Sequence, residues 1–353
     1  MKNSEIINQI IKKLEENHIN LYHDVSKEEI TNYVKSIKNK DELSAMQFDK
    51  EMLKLFALFK DAHTSYKIKW LPLNQKLTFI ENKFYILVDE KWKEIERIGD
   101  LSIKEFYSQI KSLINFETKA WLNYEIMLNI KNGYIYQMLG LFKDDKVIVH
   151  LKDKRDIEIK FDETRKLNRI SPYSYKIIND NILFFKYQSC TERPDFPFKD
   201  FLDDMAKEVK KKNIKKYILD VRGNTGGNSE ILNPFQNFVK EKKLKGVMLI
   251  DNGVFSSGRI AVARFKKEFN LPLIGEPTGG AVKSYGFIEN LQVEDKRFTV
   301  SKKFWNFSDI FGYEGSIIPD IYVPTKIEDL QNKYDRQLEM AICTLQKDAA
   351  LTL

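Results

Sequence analysis

Apolar residues first recur at helical spacing. Ile6, Ile7, Ile10, Ile11 and Leu14 form one stripe, a second runs from Ile30 to Ile37, and a third takes in Met46, Phe48, Met52, Leu53, Phe56 and Phe59. Such i, i+3, i+4 recurrence predicts three amphipathic helices, the last stopping at "KDAHTSY", Lys60–Tyr66. The texture then changes. "KLTFIENKFYILVD" reads as two short strands turning at Glu81-Asn82. Ser102 precedes an apolar-periodic run with Glu105 three places on, a capping-box signature. Helical texture continues to about Leu141, and two strands follow near Val147–Leu151 and Ile157–Phe161. From about Tyr173 the pattern alternates: "NILFFKYQ", "YILDV", "GVMLID" and "LPLIG" are strands with helical runs between them. That alternation predicts βαβ crossovers and a mostly parallel sheet. Three segments are expected: a helical one over 1–70, a small module over 71–165 and an α/β core over 166–353.

The 353 residues suffice for two or three folding units. The net charge of +7 comes from interleaved acids and bases, densest in "KEVKKKNIKKY" and "KEKKLKG". Each basic run stands just before a strand and reads as a solvated face. No zinc-finger spacing or aromatic nucleic-acid motif accompanies them, so no nucleic-acid partner is expected. Cys190 and Cys343 stand far apart with no CxxC partner, which fits a reducing compartment and two small core residues. The N-terminus carries charges too early for a signal peptide, and no apolar run approaches the roughly 18 residues of a membrane helix. A soluble cytoplasmic protein with no membrane partner is expected. No ligand cluster suggests a metal, and no cofactor is expected.

Two stretches carry candidate chemistry. Strand "YILDV" ends in "RGNTGGNSE", so Gly226 and Gly227 stand between a strand's carboxyl end and a helix start. In an open α/β sheet ligands bind there. Such a turn can hold a phosphate, hold an oxyanion, or serve only as a tight connection. The next strand delivers Ser256 and Ser257 to the start of another helix. One of them either caps that helix or reacts as a nucleophile. A serine nucleophile needs a base, and the chain has four histidines. His18 and His23 read as solvated surface in a helix connection, and His150 falls in an edge-like strand. His63, between small residues where an apolar helix ends, has the best context.

Together "DAHT", "DVRGNTGGNSE" and "NGVFSSGRIAV…LIGEPTGG" resemble the C-terminal processing protease and tricorn-core family of serine peptidases. The resemblance covers Tyr217 to Gly286 and extends to "SIIPDIYVP". It implies a crotonase-like (ClpP/crotonase) α/β core with a parallel-rich sheet, preceded by a helical subdomain and a degenerate PDZ-like module. Counting back from "GEPTG", it implies Ser256 as nucleophile. The Ser257 N–H, beside Gly226 or Gly227, would complete the oxyanion hole. Family members use either a lysine or a histidine as base. The lysine position falls on Ala281, with Lys283 two residues later, whereas "DAHT" matches the histidine motif. His63 is therefore the implied base and Lys283 its alternative. The tricorn-like type also has a serine before the histidine and a late acid. Here Ala62 stands in the first place, and the second falls on Glu314. The implied substrate is a peptide or protein, and the oligomeric state stays open. Two rivals share the fold: a crotonase-type acyl-CoA enzyme, and a binding protein without turnover.

Overall fold

The computed structural model describes residues 1–162 and 171–350, with side chains described up to residue 346. These residues group into two compact units: Met1–Lys166 with Lys283–Asn306, and Leu167–Val282 with Phe307–Leu353.

The first unit opens with helices α1 (Asn3–Asn17), α2 (Lys27–Ser36) and α3 (Ala45–Ala57). Ser26 and Ser44 cap α2 and α3, each in a reciprocal box with the residue three positions on. Strands β1 (Leu77–Ile80), β2 (Lys83–Val88), β3 (Lys91–Ile98) and β4 (Leu101–Ser102) follow. Helices α4 (Ile103–Lys111), α5 (Lys119–Asn129) and α6 (Gly133–Met138) lead to β5 (Lys146–Leu151) and β6 (Asp156–Lys160). The β1–β2 hairpin turns through Glu81 and Asn82, both at positive φ, as a two-residue turn matched to the strand twist requires. Ser102 accepts the Glu105 N–H, and the Glu105 carboxylate accepts the Ser102 N–H. The sheet runs β1-β2-β3-β5-β6, so His150 lies on an inner strand rather than the expected edge. Phe84, Ile86, Phe106, Ile110, Ile126 and Val149 form its buried core.

The second unit holds a six-stranded sheet. Strands β7 (Tyr173–Ile178) and β8 (Ile182–Tyr187) pair antiparallel. Helix α7 (Phe198–Lys211) leads to β9 (Lys216–Asp220), α8 (Asn233–Glu241) to β10 (Lys245–Ile250), and α9 (Ser256–Phe269) to β11 (Leu273–Gly275). The chain then forms the β12 (Lys283–Val293) and β13 (Lys296–Asn306) hairpin, which groups with the first unit. There it packs Val293, Phe298 and Val300 against Ile7, Leu14, Met52 and Phe56. Returning, the chain adds α10 (Ser308–Phe311), β14 (Ile321–Tyr322), α11 (Ile327–Asn332) and α12 (Arg336–Ala350). The order is β14-β11-β10-β9-β8-β7, with every pair from β8 to β14 parallel.

Both faces of this sheet are covered, which explains its near-continuous apolar strands. Leu183, Leu219, Met248 and Ile250 meet Phe198, Met205, Phe235 and Val262 from α7, α8 and α9. Their alternating neighbours Ile182, Ile218, Val247 and Leu249 meet Ala341, Ile342 and Leu345 of α12. The result is a mixed α/β fold with a parallel-rich sheet. The carboxyl ends of the central, parallel strands β9 and β10 lie side by side, and there they deliver the glycine turn and the two serines. Cys190 is buried as expected, but Cys343 is exposed on α12. Among the described residues no helix is long and apolar enough to cross a membrane.

Candidate active site

In the second unit the glycine turn and the serines lie in contact. A Cβ on Gly226 would stand 2.7 Å from Ser256 Cβ and 2.9 Å from Ser257 N. The φ of Gly226 is +115°, a conformation that side-chain-bearing residues rarely adopt, so only glycine fits both the backbone and the space. Gly227, at φ +129°, presses instead against the Cys190 carbonyl, 2.3 Å from an added Cβ. The Gly226 carbonyl accepts the Cys190 N–H and the Cys190 carbonyl accepts the Asn228 N–H, which fixes the turn against the segment after β8.

Ser256 does not cap α9. Phe255 holds the cap position, and no side chain accepts a cap hydrogen bond there. Ser256 is instead the first helical residue, with φ +47°. A left-handed serine at a strand-to-helix turn is strained, and such strain persists where the surroundings over-determine it. Ser256 is partly exposed, whereas Phe255, Ser257 and Gly258 around it are buried. Ser257 Oγ points inward and donates to the Gly227 carbonyl at 2.6 Å, so it ties the helix start to the glycine turn.

Two residues outside the sequence expectations hold this arrangement. Asn224 is wholly buried. Its Nδ2 donates to the Tyr187 carbonyl, its Oδ1 accepts the Gly226 N–H at 3.0 Å, and its own carbonyl accepts the Phe255 N–H at 3.0 Å. Asp251, at the end of β10, accepts the Gly223 N–H at 2.8 Å and the Gly253 N–H at 2.9 Å through one oxygen. Burial, with Asp220 nearby, pushes its carboxyl up to about 6 against the pull of those N–H groups and Arg222. Arg222 forks onto Asp220 and, with 2.7 and 2.8 Å contacts, onto Asp335 before α12. Burial disfavours its charge, but the two carboxylates outweigh that and hold the guanidinium more firmly protonated. The only sequence signal for either residue was position: both stand where a buried strand meets a glycine-bearing turn.

The other site candidates separate. Glu314 lies in the second unit on an exposed turn after α10. His63 and Lys283 belong to the first unit. Lys283 starts β12 opposite Asn306 and is partly buried. His63 is 8% exposed, in the turn after α3. A Cβ on Gly286 would come 3.4 Å from both Cε1 and Nε2 of its ring, so β12 backs the imidazole. Its neighbour is Asp61, wholly buried, whose Oδ1 accepts the His63 N–H at 3.0 Å. Burial pushes the Asp61 carboxyl up, but hydrogen bonds from His18 and Thr64 and the charge of His63 bring it down to about 2.

His18 corrects the sequence expectation. It is 7% exposed, not solvated, and its Nε2 meets Asp61 Oδ2 at 2.9 Å. His23 stacks beside it at 6.2 Å between ring centroids. The helical periodicity of α1 ends at Asn17, so no pattern marks the next side chain as buried.

Residues 181–244, which include β8, β9 and the glycine turn, match the model of peptidase family S41. No curated protein matches the chain. Among solved structures, mature CPAF aligns with a TM-score of 0.63 at 9% identity, over 94% of each chain. Mature CPAF complexed with lactacystin gives 0.65 at 10%, covering 94% of this chain and 95% of that one. A candidate peptidase from Parabacteroides merdae gives 0.55 at 16%, covering 98% and 97%. At such identities these likenesses concern the fold.

Proposed function

We propose, from the match of residues 181–244 to the model of peptidase family S41, that this chain is a serine-type peptidase that cuts peptide or protein substrates through an acyl-enzyme on Ser256. The observation that carries the assignment is the conformation of Ser256: left-handed at the first position of α9, capping nothing, and packed on Gly226. The start of α9 brings a positive partial charge to that oxygen, which favours an alkoxide and the tetrahedral adduct.

In this reading His63 is the general base. Its support is the "DAHT" motif together with the buried, backed seat of the imidazole. His63 takes the Ser256 proton as Ser256 Oγ attacks the scissile carbonyl. The Ser257 N–H and the Gly227 N–H hold the oxyanion, because the Gly226 N–H is already taken by Asn224 Oδ1. His63 then protonates the leaving amine, and water releases the acyl group by the same path. Glu314 is the proposed late acid, and cleavage near substrate carboxyl ends is the proposed specificity. Residues 166–353 are read as a crotonase-like core, 71–165 as a PDZ-like module and 1–70 as the helical subdomain that supplies the base.

Fluorophosphonate labelling followed by peptide mapping tests the assignment. The label should sit on Ser256 and disappear in Ser256→Ala. Labelling that survives Ser256→Ala and vanishes in Ser257→Ala would move the nucleophile by one residue. A folded wild-type chain that binds peptide without labelling or cleavage would leave only a binding role.

A further inference from the structure

We infer that Asp61, paired with His18, is a positioning carboxylate of the base, distinct from the late acid: it seats the 61–64 turn and, through the main-chain N–H of His63, the imidazole. The inference rests on the reading of His63 as the base. Both side chains of the pair are completely buried. The Asn20 N–H donates to His18 Nδ1 at 2.9 Å, so that nitrogen carries no proton and Nε2 carries it. Neutral His18 is thereby fixed as a donor to Asp61 Oδ2 at 2.9 Å. The same oxygen accepts Thr64 Oγ1 at 2.6 Å, and Oδ1 accepts the His63 N–H.

The carbonyl side of the turn is held as firmly. Asn115 Nδ2 donates to the carbonyls of Asp61 and Thr64 at 2.6 and 2.8 Å, and Thr299 Oγ1 donates to that of His63 at 2.6 Å. His63 therefore has its N–H tied to Asp61 and its C=O tied to β13, with Gly286 of β12 behind the ring. No part of that seat depends on a side chain that the chemistry would consume.

Charge adds a second effect. A buried carboxylate beside an imidazole favours the imidazolium that forms when the base takes a proton. The groups that face Asp61 are His18, His63 and the Thr64 and Ser301 hydroxyls. Behind His18 stand His23, which lies 3.9 Å from Asp24, and Tyr285, 5.5 Å away between ring centroids.

The test is the pH profile of peptide turnover for the full chain, with thermal melts to show that each variant folds. Asp61→Asn should lower kcat/KM by about 10²-fold, the scale of an ångström-level misplacement. It should also move the acid limb to lower pH, because the imidazolium loses a neighbouring negative charge. A purely structural residue would lower activity without moving that limb. His18→Gln keeps an N–H donor and should retain most turnover, whereas His18→Phe should lose roughly tenfold or more. If Asp61→Asn does not fold, the Gln and Phe contrast at His18 decides. Wild-type kcat/KM and an unmoved acid limb in Asp61→Asn, with His63→Ala inactive, would overturn the positioning role alone. Equal turnover in the two His18 variants would do the same. Near-wild-type turnover in His63→Ala would remove the base reading, and this inference with it.

Discussion

Replacing Gly226 by alanine puts a methyl group where the backbone already touches the serine turn. The new carbon would lie 2.7 Å from Ser256 Cβ, 2.9 Å from Ser257 N and 3.2 Å from Ser256 Oγ. Carbon atoms normally settle at about 3.5–4.0 Å, so the turn and the serine must part by about 1 Å. A side chain at φ +115° adds strain of about 1–3 kcal/mol. Two consequences follow with different magnitudes. Stability should fall by that strain, a melting shift of about 2–4 °C per kcal/mol in a domain of this size. Turnover should fall by about 10²-fold or more, because an ångström of misplacement costs about that much and so does the loss of one oxyanion donor. The assay is kcat/KM on a fluorogenic peptide together with the rate of fluorophosphonate acylation, each beside a thermal melt. Gly140→Ala is the control: its φ is +70°, but nothing lies within 4 Å of the added carbon. It should lose stability and keep turnover. A folded Gly226→Ala variant that acylates at nearly the wild-type rate would show that the turn is only a connection.

Three further outcomes are expected. Because its folded carboxyl is raised to about 6 from 3.8, Asp251 stabilises the chain most below about pH 4 and loses that contribution as pH rises through 6. Asp251→Asn keeps an oxygen for the Gly223 and Gly253 N–H groups, so it should be more stable than wild type near pH 7.5, by up to about 3 kcal/mol, and equal to it near pH 3.5. Melts showing a less stable variant at neutral pH would contradict this. Ser257→Ala removes the bond to the Gly227 carbonyl but not the backbone N–H, so it should keep most labelling and lose about 1 kcal/mol of stability. His63→Ala should lose nearly all turnover while Lys283→Ala loses little, measured on the same peptide. The reverse pattern would make Lys283 the base.

Local pattern and tertiary arrangement contributed differently. The alternation of strands and helices from β8 to β11 was legible because a parallel strand buried on both faces must be apolar throughout, while its covering helices show one apolar stripe. The Ser102–Glu105 box and the Glu81-Asn82 turn were legible because each is closed by residues within a few positions. The identity of the glycine and serine segments was legible for the same reason, since each spans one strand-to-helix turn. What those segments do to each other was not. Ser256 could equally have capped its helix, and its left-handed conformation against Gly226, thirty residues earlier, is a feature of the folded chain alone. His18 read as solvated because its neighbours in sequence are polar, yet its environment comes from Asp61, 43 residues on. Nothing local sets Asp251 and Asn224 apart, and neighbouring strand ends give them their long-range partners Gly223, Tyr187 and Phe255. Periodicity reports which face of an element is buried. Burial of a polar side chain is decided by whether another segment brings the donors and acceptors it needs, and only the folded chain contains that information.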